Sequence, residues 1–205
     1  MNLQLTRGEL AWLLRAAGAQ TAPGLLTSDA VMAETQTQTG QTRLRQRGFF
    51  APGSDALQPF AAGLAAALAR PEFVCHTREN KELRWLLHYL ANGKIIQVAV
   101  SGNDTFEIEA VQDATEMATR ILKFATPPPP LKPSPILRAL AQMTLARPQN
   151  GQLGKGRVIQ LLPSREVNLL VWKPAAGAKS RSLPATSDNL KEVIRSISEE
   201  MTAGN

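Results

Sequence analysis

Apolar residues fall into two rhythms along this chain, and the change between them comes at Pro71. Before it, Leu10, Leu13, Leu14 and Ala17 recur at helical spacing. They follow Thr6-Arg7-Gly8-Glu9, in which a threonine and a glutamate three residues on have the spacing of a capping box. Gly18 is placed to end that helix. Ser28-Asp29 can open a second one, whereas Thr35–Thr42 has no apolar residue and predicts a solvated turn or helix break. Gln41–Arg47 predicts a short helix closed by Gly48, with Phe49-Phe50 returning the chain to the core. Leu57, Phe60, Ala61, Leu64 and Leu68 form a further amphipathic stripe that stops before Pro71.

Beyond Pro71 the period falls from 3.6 to 2, the signature of a sheet. Phe73–Arg78, Leu83–Ala91, Lys94–Ser101 and Phe106–Val111 are the predicted strands. Asn92-Gly93 and Gly102-Asn103-Asp104 supply tight turns, because these residues tolerate positive φ. Asp113 then opens a helix with the stripe Ala114, Met117, Ala118, Ile121 and Leu122.

Six of the 14 prolines lie between Pro127 and Pro135, which predicts an extended polyproline-like spacer. After it, Ile136, Leu137, Leu140, Met143 and Ala146 have helical spacing, followed by strands at Arg157–Leu162, Val167–Lys173 and Lys179–Ala185. Pro163-Ser164-Arg165 and Ala175-Ala176-Gly177 are the turns between them. Ser187-Asp188 cap a last helix carrying Leu190, Val193, Ile194, Ile197 and Met201.

Leu-Ala-Arg-Pro stands at Leu68–Pro71 and again at Leu145–Pro148, and the closing helices match at an offset of 76. Helix, tetrapeptide, hairpin strands and amphipathic helix therefore read as one unit used twice. The expected architecture is α+β: an antiparallel sheet with flanking helices, in two similar halves related by a pseudo-two-fold. The halves are residues 1–124 and 136–205, joined by a proline-rich linker over 125–135.

Composition narrows the functional classes. The 205 residues are 43% apolar, enough for a real core. A single cysteine, Cys75, excludes an internal disulfide, and no charged N-terminus leads into an apolar run of secretory length, so a cytoplasmic protein is expected. The longest charge-free apolar stretch, Ala56–Ala69, is too short to cross a bilayer and contains Pro59, so no membrane partner is expected. The formal net charge of +6 is unevenly spread. Between Pro127 and Thr186 nine basic residues face one acid, Glu166, which suits an acidic partner.

Catalytic signatures are missing. Gly151–Gly156 resembles a phosphate loop, but Gln149 and Gly156 stand where the turn glycine and the magnesium-binding hydroxyl belong. His76 and His88 are too few for a metal site, and Cys75 beside His76 on a strand would point to the opposite face, wrong for a thiolate and its base. Glu107 and Glu109 alternate with apolar residues as an outward strand face does. No enzyme activity, catalytic residue, metal or cofactor is expected.

Binding features survive better. Val167, Leu169 and Val171 occupy one strand face while Leu170 and Trp172 occupy the other, and Ile95–Val100 is apolar on both sides apart from Gln97. Such strands must be covered twice, by helices of the same chain, by a second subunit in a homodimer, or by a client protein. Trp172 reads either as a core residue or as an aromatic anchor in a basic rim made by Arg157, Lys173, Lys179 and Arg181.

The layout "LTRGELAWLLRAAG", "LRQRGFF" and "LQPFAAGLAAALARPEF", followed by hairpins and a helix ending at Lys123, resembles the EspG family of substrate-specific chaperones of type VII (ESX) secretion. That resemblance implies a sheet-and-helix fold with quasi-two-fold halves, binding of secreted PE–PPE heterodimers, and no catalysis or cofactor. The expected function is thus a non-enzymatic protein-binding module, a cytosolic chaperone or adaptor for secreted clients. The alternative is a nucleic-acid binder, using the N-terminal helices with Arg43, Arg45 and Arg47 or the basic C-terminal sheet.

Overall fold

The computed structural model describes residues 2–34, 38–79, 84–101, 105–125, 139–164, 166–174 and 177–203. The N-terminal part runs β1 (Asn2–Thr6), α1 (Arg7–Ala16), α2 (Ser28–Glu34), α3 (Gln38–Gln46) and α4 (Pro59–Ala69). Then come β2 (Phe73–Glu79), β3 (Trp85–Ala91), β4 (Lys94–Ser101), β5 (Thr105–Val111) and α5 (Ala114–Ala125). The C-terminal part is β6 (Ala141–Ala146), β7 (Pro148–Gln149), β8 (Gln152–Leu153), β9 (Arg157–Leu162), β10 (Leu169–Trp172), β11 (Arg181–Pro184) and α6 (Ser187–Ala203).

Local chemistry accounts for the element ends. Thr6 and Glu9 form the capping box of α1, with Glu9 N–H donating to Thr6 Oγ1 at 3.2 Å and Thr6 N–H donating to Glu9 Oε2 at 2.8 Å. Asp113 accepts the Glu116 N–H at 2.8 Å to start α5. Asn92 and Gly93 both have positive φ, 50° and 71°, as the tight turn between β3 and β4 requires.

Nine strands form one antiparallel sheet in the order β1-β5-β4-β3-β2-β6-β9-β10-β11. Its middle is the β2–β6 pair, Val74 opposite Ala146 through Glu79 opposite Ala141. Outward from that pair, β2-β3-β4-β5 then α5 and β6-β9-β10-β11 then α6 follow in the same order, with the β7–β8 hairpin inserted after β6. The α+β class and the continuous sheet agree with the sequence expectation.

Two cores lie on opposite faces. Helices α1–α4 pack Leu10, Leu14, Leu44 and Leu68 against Leu5, Val74, Leu87 and Val98 of the sheet. Helices α5 and α6 pack Met117, Ile121, Leu190 and Ile194 against Cys75, Met143, Ile159 and Leu170 on the other face. The two helices run past one another in opposite directions: Thr119 Oγ1 meets Ser187 Oγ at 2.9 Å and Lys191 Nζ meets Thr115 Oγ1 at 3.4 Å.

Two expectations are overturned: residues 38–42, expected in a solvated turn or helix break, form the start of α3, and the second concerns the chain after the proline-rich segment. The helix over Ile136–Ala146 is instead, within the described residues, the strand Ala141–Ala146. Ala141, Met143 and Leu145 alternate as a buried set, and pairing with β2 and β9 on both sides outweighs a helical spacing carried by small and unbranched residues. The two Leu-Ala-Arg-Pro tetrapeptides are therefore not equivalent: the first ends a helix and the second ends a central strand. Most of the expected linker, 126–135, lies outside the described residues, as do Gly102-Asn103-Asp104 and Ala175-Ala176.

The hairpin β7–β8 was not foreseen, although Asn150-Gly151, with φ of 51° and 75°, repeats the turn chemistry of Asn92-Gly93. Gly156 in the same stretch serves packing. A Cβ there would lie 2.5 Å from Thr144 Cγ2 and 2.8 Å from the Leu145 carbonyl oxygen. Gly156→Ala should consequently lower stability by about 1–3 kcal/mol, read by urea denaturation.

The two sheet edges differ. Ala185 N–H donates to Asn168 O at 2.8 Å, so on β11 the backbones of Leu183 and Arg181 face β10 while those of Ser182 and Pro184 face outward. Pro184 has no N–H, and its carbonyl already accepts from Thr186 N and Asn189 Nδ2. At Pro184 this edge cannot pair with a further strand.

Candidate protein-binding face

The face of β9–β11 that looks away from α5 and α6 carries Val158, Gln160 and Leu162, then Leu169 and Val171, then Ser182 and Pro184, by register with one another. The helices α1–α4 cover the same side of β1–β5, but no β9–β11 residue enters their core. Among the described residues this face is left open. Val158 is 39% exposed and the adjacent Val167 44%, while Leu162, Leu169 and Val171 are half-buried. A shallow depression of about 320 Å³ is lined by Val158, Gln160, Val171, Arg157, Lys173 and others.

Of the five residues singled out from sequence, Arg157, Trp172 and Lys173 line this depression. Lys173 is exposed within it, whereas Lys179 and Arg181 are exposed outside its lining, Arg181 sharing the face of its cross-strand partner Trp172. Arg157 reaches Glu200 of α6 at 3.4 Å, with both side chains about one-third exposed. Trp172 is 8% exposed and packs in the second core, because the period of two puts it on the inner face with Leu170. Of the two readings open for Trp172, the structure gives the core. Trp172 still borders the depression, but the exposed apolar part of the site is Val158 with the half-buried Val171, and Val158 was hidden in sequence by being one of several alternating valines.

A second, larger cleft of about 840 Å³ opens where β6 and Gly156 meet the C-terminal end of α6. Its cations are largely committed. Arg147 Nη1 donates to Met201 O at 3.2 Å and the guanidinium stacks on Phe73, while Arg157 faces Glu200.

Polar chemistry is also buried beneath α5. Cys75, His88, Gln97 and Glu109 are successive cross-strand neighbours on that face. His88 Nε2 lies 3.2 Å from Gln97 Oε1, while His88 Nδ1 and Thr77 Oγ1 have no hydrogen-bond partner among the described residues. Arg120 of α5 pairs with Glu109 and Glu116. The sequence reading compared Cys75 with its neighbour His76 and missed His88, which only strand register reveals. Burial pushes the Cys75 thiol up to about 12 and holds the His88 imidazole down at about 4. A thiol held protonated beside an imidazole sealed from solvent is no nucleophile–base pair.

The arginines behind the nucleic-acid alternative are mostly occupied. Arg45 pairs with Asp55, donates to Ser54 O at 2.8 Å and stacks on Phe50. Arg47 pairs with the buried Glu9 at 3.1 Å and stacks on Phe49. Both fasten the α3 region to its surroundings.

The fold is shared with a solved secretion chaperone. The structure of the Mycobacterium tuberculosis type VII secretion system chaperone EspG5, in complex with the PE25–PPE41 dimer, matches with a TM-score of 0.64. The match covers 96% of this chain and 95% of EspG5 at 11% sequence identity. No protein-family model matches the chain, and no curated protein matches it in sequence. The likeness to EspG5 is therefore one of fold, extending over nearly the whole length of both chains. Among the described residues no helix is long and apolar enough to cross a membrane.

Proposed function

We propose that this chain is a non-enzymatic protein-binding module, a chaperone or adaptor that holds a secreted client in the cytoplasm. The observation that carries the reading is the open face of β9–β11, an apolar stripe around Val158 and Val171 whose depression is also lined by the cations Arg157 and Lys173. An uncovered apolar strand face next to cations fits an acidic protein surface with apolar contacts at its centre. EspG5, which has this fold, binds a protein dimer, and a protein client is the corresponding reading here. The matching order of β2-β3-β4-β5-α5 and β6-β9-β10-β11-α6 supports two related halves, of which the second leaves its face free.

A photo-reactive amino acid placed at Val158 tests this in cells of the source organism. One polypeptide of defined size should be captured, and its capture should be lost when Val171→Asp is added. Complex formation should survive nuclease and change little between low and high salt, since apolar contacts dominate. A nuclease-sensitive complex whose affinity falls steeply with salt would instead identify a phosphate backbone as the partner.

A further inference from the structure

Strand register gathers cations at one end of the second half of the sheet. Leu145 lies opposite Arg157, Ile159 opposite Trp172 and Trp172 opposite Arg181. The end of β6, the start of β9, the end of β10 and the start of β11 therefore stand side by side. At or next to these termini the chain places Arg147, Lys155, Arg157, Lys173, Lys179 and Arg181. Arg147 and Arg157 are tethered to α6, through Met201 O at 3.2 Å and Glu200 at 3.4 Å. Lys155, Lys173, Lys179 and Arg181 are exposed and have no ion-pair or hydrogen-bond partner among the described residues. Arg45, Arg47, Arg120 and Arg195, by contrast, each hold a carboxylate. Unpaired like charges in a row repel one another, and an anionic partner relieves that repulsion.

The surface beneath the row is hollowed along its length. The depression of about 320 Å³ and the cleft of about 840 Å³ adjoin at Gly156 and Arg157, which line both. A ligand laid across the strand ends from Arg147 to Lys173 touches each of them. Close backbone packing holds the middle of this wall. A Cβ at Gly154 would lie 2.7 Å from the Arg147 carbonyl oxygen, and one at Gly156 would lie 2.8 Å from that of Leu145. The two glycines thus press the chain on either side of Lys155 against the end of β6, which fixes the root of the lysine beside Arg147.

The surroundings select the kind of anion. The steps from β6 to β9, β10 and β11 cover about 14 Å, which an extended peptide spans in about four or five residues. Val158 and the half-buried Val171 line the depression and offer apolar contact between the charges. A nucleic acid fits less well, because bases need ring faces to stack on. Among the described residues the one aromatic lining either hollow is Trp172, which is 8% exposed and packs in the core. Glu72 and Glu200 also line the cleft. An unbroken chain of phosphates would meet both carboxylates, whereas a peptide can set uncharged residues against them.

We propose that the ends of β6, β9, β10 and β11 bind an extended acidic client segment that also carries apolar residues, which rests on β9–β11 being the client face. Fluorescence anisotropy of the full chain with two labelled peptides of about nine residues, one of Asp-Asp-Leu repeats and one of Asn-Asn-Leu repeats, tests it. The Asp peptide should bind at least about tenfold more tightly. Lys155→Glu and Lys173→Glu should each weaken it at least about threefold with an unchanged melting temperature, since both side chains are exposed. Lys94→Glu, the same change of charge at the start of β4, should leave it unaltered. Equal affinity for the two peptides, binding of neither, or an equal loss in all three variants overturns the proposal. Tighter binding of a labelled oligothymidylate of the same length would assign the row to nucleic acid and overturn it equally. A client captured through Val158 in any of these cases leaves the client face standing while the acidic segment falls.

Discussion

Trp172→Ala should destabilise the protein by about 3–5 kcal/mol in denaturant unfolding, the cost of emptying a large buried aromatic site. The ring is 8% exposed and shares its core with Leu170, Ile159 and α6. The neighbouring Lys173→Ala and Arg181→Ala remove exposed side chains and should each change stability by less than about 0.5 kcal/mol. The contrast matters for any binding study of this face. A loss of client capture in Trp172→Ala would report unfolding, whereas a loss in Lys173→Ala or Val171→Asp with an unchanged melting curve would report the interface. A Trp172→Ala protein as stable as the parent would show that the ring does not pack in the α6 core.

Acidification should weaken the fold through His88. The imidazole is fully enclosed, and its pKa falls from 6.5 to about 4, first because burial penalises the cation, an effect partly offset by the hydrogen bond to Gln97 and slightly reinforced by the positive charge of Arg120. Between those two values the unfolded chain takes up a proton that the folded chain refuses. The contribution is therefore intact above about pH 6.5 and is lost as the pH falls towards 4, amounting to about 3 kcal/mol over the whole interval. Thermal melts at pH 7 and pH 5 should show the decline, and His88→Leu should flatten it. An equal slope in His88→Leu would assign the effect to other groups. The Glu116 carboxyl cannot substitute in this window, because the Gln112 N–H and Arg120 hold it below the usual carboxylate range.

Much of the architecture was legible because its signals are local. The capping box at Thr6, the Asn92-Gly93 turn, the strands from Phe73 to Val111 and the closing helix from Ser187 depend on neighbours within a few residues, and each appears where the spacing placed it. What escaped depends on distant partners. β6 is a strand because β2 and β9 flank it, and nothing within Ala141–Ala146 outweighs its helical spacing. β1 has only five residues and becomes a strand by pairing with β5, a hundred positions away. The same limit applied to the candidate site. The cations Arg157, Lys173, Lys179 and Arg181 could be found as a cluster in sequence, but assigning Trp172 to the core and Val158 to the open face needed register across β9 and β10.

Closure of the β11 flank by Pro184 bears on how this protein behaves when crowded. A ribbon of strands extends indefinitely only if both margins accept a newcomer, and on this margin Pro184 supplies no donor and an acceptor that is already taken, leaving Ser182 to offer its N–H and C=O. Edge-to-edge association across the strands is therefore disfavoured at the β11 margin. One imino acid thus opposes sheet growth from the folded state, and Pro184→Thr, which restores the donor, should increase association on concentration as read by light scattering.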